Sequence, residues 1–226
     1  MYVLIALLLL QSVTMIIYSR TKKHWLAAKM TCSAVFVATG VTSMILTRDN
    51  ITLYSALIMA GLVFGAIGDY TLEVKVFGKD FIYGLISFLI GHVLYAAAFY
   101  TAFYPPLHEH IILLLIATVI ITSAGVGAVF LFKIPVKRYK TALLLYSVTI
   151  SAMIATSGVR SFMLISEGNI TVGILLLVSS LLFAVSDTVL GLAIHGITYK
   201  FSNNVILFTY YIAQTLFAVS IYLNAA

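Results

Sequence analysis

Charge is scarce in this sequence: Asp, Glu, Lys and Arg together make up 9% of its 226 residues, against roughly a quarter in soluble domains. A chain so poor in charge cannot cover itself with a polar surface. Its mean hydropathy of +1.13 makes lipid the solvent for most of it. The segments between apolar runs are too short for a separate soluble unit, so residues 1–226 are expected to form a single integral membrane domain. Cysteine is also nearly absent. Cys32 stands alone in an apolar run, which excludes a disulfide framework and a thiolate metal site and leaves a small buried hydrophobe.

Other absences narrow the chemistry. There is no phosphate-binding glycine loop or dinucleotide fingerprint, and no Gly-x-Ser-x-Gly elbow that would make a serine nucleophile. Ser186 has no histidine base near it in the sequence. The net charge of +6 does not imply a nucleic-acid partner, because the basic residues sit in short breaks between apolar runs. That distribution is an orientation signal and a contact with anionic lipid.

What is present is a succession of apolar runs long enough to cross a bilayer, which takes about 20 residues of helix. They fall at 2–18, 25–46, 51–72, 81–103, 111–132, 139–159, 170–194 and 203–223. Lipid offers the backbone no hydrogen bonds, so spans of this length must be helical. The expected fold is an all-α polytopic bundle of eight transmembrane helices. The first run lacks a basic lead and a convincing cleavage site, so it is expected to be a retained helix rather than a signal peptide. Arg20, Lys22, Lys23, Lys75, Lys79, Lys133, Lys137, Arg138, Lys140 and Lys200 fall in odd-numbered breaks; only Arg48 and Arg160 fall in even-numbered ones. The positive-inside bias then puts both termini away from the cytoplasm, in a bacterial inner membrane or a eukaryotic endomembrane.

Against this background two aspartates stand out. An ionised carboxylate at the centre of a span costs about 2.5–3.5 kcal/mol on insertion scales, yet Asp69 and Asp187 each lie in an otherwise apolar run, near its cytoplasmic end. Lys29 and Tyr146 lie near the same side. His92 and Tyr95 are deeper, His92 about 16 Å beyond Phe81 at 1.5 Å per residue. A structural reading is open for each residue: Asp near a helix end with Gly68 or Ser186 allowing close approach, Lys29 snorkelling to the interface, and Tyr146, Tyr210, Tyr211 and Gln214 bonding between helices. Glu73, beside Lys75, is expected to be a solvated surface charge, and His108 and His110 an outer loop after Pro105-Pro106. Two carboxylates at matched depth beside His92, Tyr95 and Lys29 favour function. One neutral carboxylic acid and one carboxylate in a cavity are the tools of acid–base hydrolysis.

The surroundings of the two aspartates are alike. Phe64-Gly-Ala-Ile-Gly-Asp69 is similar to Phe183-Ala-Val-Ser-Asp187, about half the chain apart, which suggests two similarly oriented four-helix halves. Several blocks then occur in a fixed order. They are Gly68-Asp69; Phe81-x-x-Gly84-x-x-x-Phe88-x-x-x-His92-x-x-Tyr95; Leu144-Leu145-Tyr146 with Met153; Phe183-x-x-Ser186-Asp187; and Thr209-Tyr210-Tyr211-x-Ala213-Gln214. Together they resemble the YhhN-type lysoplasmalogenase family over about residues 55–217. The departure is Lys29-Met30, where the family often has Lys-Pro.

The resemblance implies an eight-helix intramembrane hydrolase that cleaves the vinyl ether bond of a lysoplasmalogen, a lysophospholipid with a vinyl ether chain. The products would be a fatty aldehyde and a glycerophospho-alcohol, with no metal and no other cofactor. It makes Asp69 and Asp187 the acid–base pair, their individual roles open. Lys29, His92, Tyr95, Tyr146, Ser186, Tyr211 and Gln214 become the substrate-binding set. Two other classes compete. Paired intramembrane carboxylates also mark a proton-coupled transporter of lipids or small molecules, although few proline or glycine interruptions break the spans. A metal-dependent lipid hydrolase would use His92 with the aspartates, but only one histidine lies at the right depth. The headgroup and the oligomeric state are not encoded in any of these features.

Overall fold

A computed structural model describes residues 1–21, 25–74, 82–101, 107–131 and 140–225. The basic loop residues Lys22, Lys23, Lys75, Lys79, Lys133, Lys137 and Arg138 lie outside them, as do Phe81 and Pro105-Pro106 and the side chains of His108 and Lys140. Among the described residues the secondary structure is helical throughout. Eight α-helices are formed: α1 Tyr2–Arg20, α2 Trp25–Leu46, α3 Leu53–Glu73, α4 Ile82–Thr101, α5 Ile111–Leu131, α6 Lys140–Ser166, α7 Ile170–Ile194 and α8 Ser202–Ala225. All eight contain a stretch long and apolar enough to cross a membrane, and the chain is a multi-pass membrane protein.

The helix ends follow from local chemistry. At the start of α3, Thr52 and Ser55 form a reciprocal capping box, with Ser55 N donating to Thr52 Oγ1 at 3.3 Å and Thr52 N to Ser55 Oγ at 2.9 Å. Glycines in the left-handed region end α6 and α7. Gly168 (φ 90°) and Gly196 (φ 84°) each close a Schellman motif, with Asn169 N bonded to Leu164 O at 2.8 Å and Ile197 N to Leu192 O at 3.0 Å. Gly168 corrects one sequence expectation. The sixth span does not break at Arg160 but continues to Ser166, so Arg160 is a buried helical residue rather than a loop cation. The stop signal is the glycine, not the charge.

Six helices pack in a closed cycle: α2 on α3, α3 on α4, α4 on α6, α6 on α7, α7 on α8, and α8 back on α2. Outside it, α1 lies against α2 and α8, and α5 lies against α6. Exchanging α1–α4 with α5–α8 maps this cycle onto itself, which is the packing expected of two four-helix halves in the same orientation. Each half has an even number of spans, so α3 and α7 run the same way through the membrane and carry Asp69 and Asp187 to the same end of the bundle. α5 is almost entirely on the outside, its only fully buried side chain being Leu114.

Close approach of the helices depends on a small-residue face of α3. A Cβ placed on Gly61 would come 2.3 Å from the Tyr95 ring, and one on Gly68 would come 2.7 Å from the Phe88 ring. These glycines let α4 press its aromatic side chains onto the α3 backbone. The core beneath the site is accordingly aromatic, with Phe36, Tyr54, Tyr95, Phe99, Phe183 and Phe217 all buried.

Candidate active site

α3 ends in Asp69-x-x-x-Glu73 and α2 begins with Lys29-x-x-x-Ser33, and a four-residue spacing puts each pair on one helix face. The two faces oppose each other. Lys29 Nζ lies 3.5 Å from Asp69 Oδ1 and 2.9 Å from Glu73 Oε1. Ser33 Oγ donates to Asp69 Oδ2 at 2.6 Å. From α8, the Tyr211 hydroxyl donates to the Lys29 carbonyl at 3.2 Å and stands 3.5 Å from Asp69 Oδ2. Every group that meets Asp69 is a donor, a setting that suits a carboxylate.

Asp187 on α7 is built differently. Its Oδ2 takes a short hydrogen bond from the Tyr146 hydroxyl of α6 and lies 2.7 Å from His92 Nε2 of α4. His92 Nε2 is also 3.1 Å from the Tyr146 hydroxyl, and its Nδ1 is 3.4 Å from Met153 Sδ. His92 Nε2 and the Tyr146 hydroxyl thus meet the same carboxyl oxygen, Oδ2. Asp187 Oδ1 carries no hydrogen bond among the described residues.

The two carboxyls occupy corresponding positions in the halves. Asp69 is met by its own half's second helix, α2, and by the other half's last helix, α8. Asp187 is met likewise by α6 and by α4. The equivalence ends one turn later, where Glu73 on α3 has Gly191 on α7 as its counterpart, each four residues beyond its aspartate.

Both aspartates line one cavity of about 410 Å³ at the end of the bundle, together with Lys29, Glu73, Ser186 and Tyr211. Tyr18, Trp25, Asn203 and Asn204 stand around it. Phe88, Asp187 and Leu190 also line a second, much smaller space of about 50 Å³ between α4, α6 and α7, whose other walls include Leu85, Tyr146, Leu143 and Gly191.

The residues singled out in the sequence therefore divide. Asp69, Asp187, Lys29, Ser186 and Tyr211 face the larger cavity, and Tyr146 faces the smaller. Ser186 spends its hydroxyl on the Ile206 carbonyl at 3.2 Å. His92, Tyr95 and Gln214 are fully buried and line neither space. They act from behind. His92 backs Asp187, while the Tyr95 hydroxyl donates to Gln214 Oε1 at 2.5 Å and Gln214 Nε2 to the Tyr210 hydroxyl at 3.1 Å, ending a chain at the cavity wall.

Two participants were not evident beforehand. Glu73 is not a solvated surface charge, because its side chain is 23% exposed, paired with Lys29, and part of the cavity wall. Ser33 was not singled out at all. The four-residue spacings from Asp69 and Lys29 were the available signal for both.

Fold and site together define a multi-pass membrane protein with a polar, dicarboxylate cavity at one end of an apolar bundle. The sequence model of the YhhN family matches residues 25–221, and the chain belongs to that family. Comparison with curated proteins and with solved structures yields no match.

Proposed function

We propose that this protein is an intramembrane hydrolase of lysoplasmalogens, cleaving the vinyl ether bond to a fatty aldehyde and a glycerophospho-alcohol. The observation that carries the reading is the pair of carboxyls in one cavity with opposed surroundings. Asp69 is held by donors and a cation, and Asp187 is held through one oxygen by a tyrosine and a histidine. A vinyl ether is hydrolysed by adding a proton to its distal carbon, adding water to the resulting oxocarbenium ion, and letting the hemiacetal collapse. One proton donor and one carboxylate base can supply both proton transfers, and such catalysis contributes typically 10²–10⁴-fold.

Lys29, bridging two carboxylates at the cavity wall, is placed to meet the substrate phosphate. The basic loops orient this end of the bundle to the cytoplasm, with both termini on the opposite side. Membership of the YhhN family supports the same reading.

The test is aldehyde release from lysoplasmenyl-ethanolamine by the purified protein, with and without chelator. Chelator-resistant release is expected, and it should disappear in Asp69→Asn and in Asp187→Asn while the bundle stays folded. Well-folded wild-type protein that releases no aldehyde overturns the proposal. Proton flux in liposomes without lipid cleavage would replace it with a carrier.

A further inference from the structure

The two spaces beside Asp187 differ in chemistry. The larger carries Lys29, Asp69 and Glu73. The smaller is walled by Leu85, Leu143, Leu190 and Ile194, with polar groups only at Tyr146, Asp187 and His195. The difference has a local origin. One turn beyond its aspartate, α3 sets a carboxylate that fixes Lys29, whereas α7 sets Gly191 and leaves the volume open. A Cβ added at Gly191 would meet nothing within 4 Å.

We infer that the smaller space between α4, α6 and α7 seats the start of the hydrocarbon chain of a lysophospholipid, its phosphate end lying in the larger cavity by Lys29. The inference rests on the hydrolase reading for its chemistry but not for its geometry. An apolar chain gains about 0.8 kcal/mol per methylene removed from water, and of the two spaces this one is lined almost wholly by hydrocarbon. Asp187 stands at the junction, belonging to both.

The orientation assigns the two aspartates. In a lysoplasmalogen the vinyl carbon bearing the chain points toward the chain, and the ether carbon and oxygen point toward the glycerophosphate. A chain in the α4/α6/α7 space puts the chain-bearing carbon against Asp187, whose Oδ1 is free of other hydrogen bonds. Asp187, protonated on Oδ1 with Oδ2 held by Tyr146 and His92, gives that proton to the carbon. The positive charge then falls on the ether carbon and oxygen, toward Asp69. Water adds to that carbon and loses its proton to Asp69, and the hemiacetal breaks to aldehyde and alcohol. The proton gained at Asp69 balances the one given by Asp187, and no other reactant is consumed.

The probe is a saturated alkyl-ether lysophosphoethanolamine carrying a diazirine in its chain, which binds but is not cleaved. Photolabel is expected on the α6 and α7 segments around Leu143 and Leu190, and Gly191→Leu should reduce it about tenfold by filling the space. With cleavable substrates, the same variant should lower the kcat/KM ratio for a long chain over a short one by about tenfold. Label on the lipid-facing sides of α1 or α5, or label undiminished by Gly191→Leu, overturns the chain site. A wild-type protein that labels as expected but releases no aldehyde retains the chain site and overturns the hydrolase reading instead.

Discussion

His92 on α4 and Asp187 on α7 meet at 2.7 Å in a place where the histidine has no access to either cavity. Its other ring nitrogen rests on Met153 Sδ at 3.4 Å, and its faces are packed by Tyr146 and Phe183, with ring centroids 5.2 and 4.6 Å away. Such an imidazole acts on substrate only through the carboxyl it holds. Replacing it with leucine should therefore lower kcat for aldehyde release by about 100-fold, in the range of general acid–base effects. KM should stay within about threefold, since no ground-state contact is lost. Steady-state kinetics of His92→Leu would check this, and a raised KM with kcat preserved would assign the histidine to substrate binding instead.

Lys29 gives a stability prediction. It is the cation between Asp69 and Glu73, and removing one partner of a buried pair leaves charge uncompensated, at a cost of about 3–5 kcal/mol. Lys29→Met should lower the thermal midpoint in detergent markedly. Adding Glu73→Gln removes one of the stranded carboxylates, so the double variant should melt above Lys29→Met alone. Strict additivity of the two changes would mean that the 2.9 Å contact carries no coupling.

These two sites also show what the sequence could and could not disclose. Apolar runs of bilayer length placed all eight helices, because lipid leaves no alternative to a helix. Asp69 and Asp187 stood out because charge in such runs is costly. Arg160 and Glu73 were misplaced for one common reason. Each charge lies near the end of an apolar run, where hydropathy alone cannot tell a loop from a final helical turn. What decides is a cap or a partner: Gly168 for the end of α6, and Lys29 for Glu73. The pairing of His92 with Asp187 was illegible because it joins helices from different halves, and no local spacing encodes that contact.

The packing of α3 yields a contrast between two glycines. A methyl on Gly61 would sit 2.3 Å from the Tyr95 ring, which is fully buried and tied to Gln214, so the ring cannot swing away. Gly61→Ala should cost about 1–3 kcal/mol from overpacking. A methyl on Gly91 would meet only the Gly61 carbonyl at 3.5 Å, an ordinary contact. Gly91→Ala should be neutral or stabilise by up to about 1 kcal/mol through helix propensity. Thermal melts of the two variants should move in opposite directions or, at the least, by clearly different amounts.

Arg160 should separate stability from activity. It is buried in α6, and its Nε donates to the Phe99 carbonyl at 3.1 Å, near the C-terminus of α4. A cation there complements the C-terminal end of the helix dipole. Arg160 follows Tyr146 by fourteen residues on the same helix, which puts it about 21 Å from the Asp187 end. Arg160→Leu removes this buried charge-assisted hydrogen bond, so the variant should lose about 1–3 kcal/mol of stability. Aldehyde release per folded molecule should match the wild type below its melting range. Activity falling with no change in melting would instead place the arginine in the reaction, across the full depth of the bundle from both aspartates.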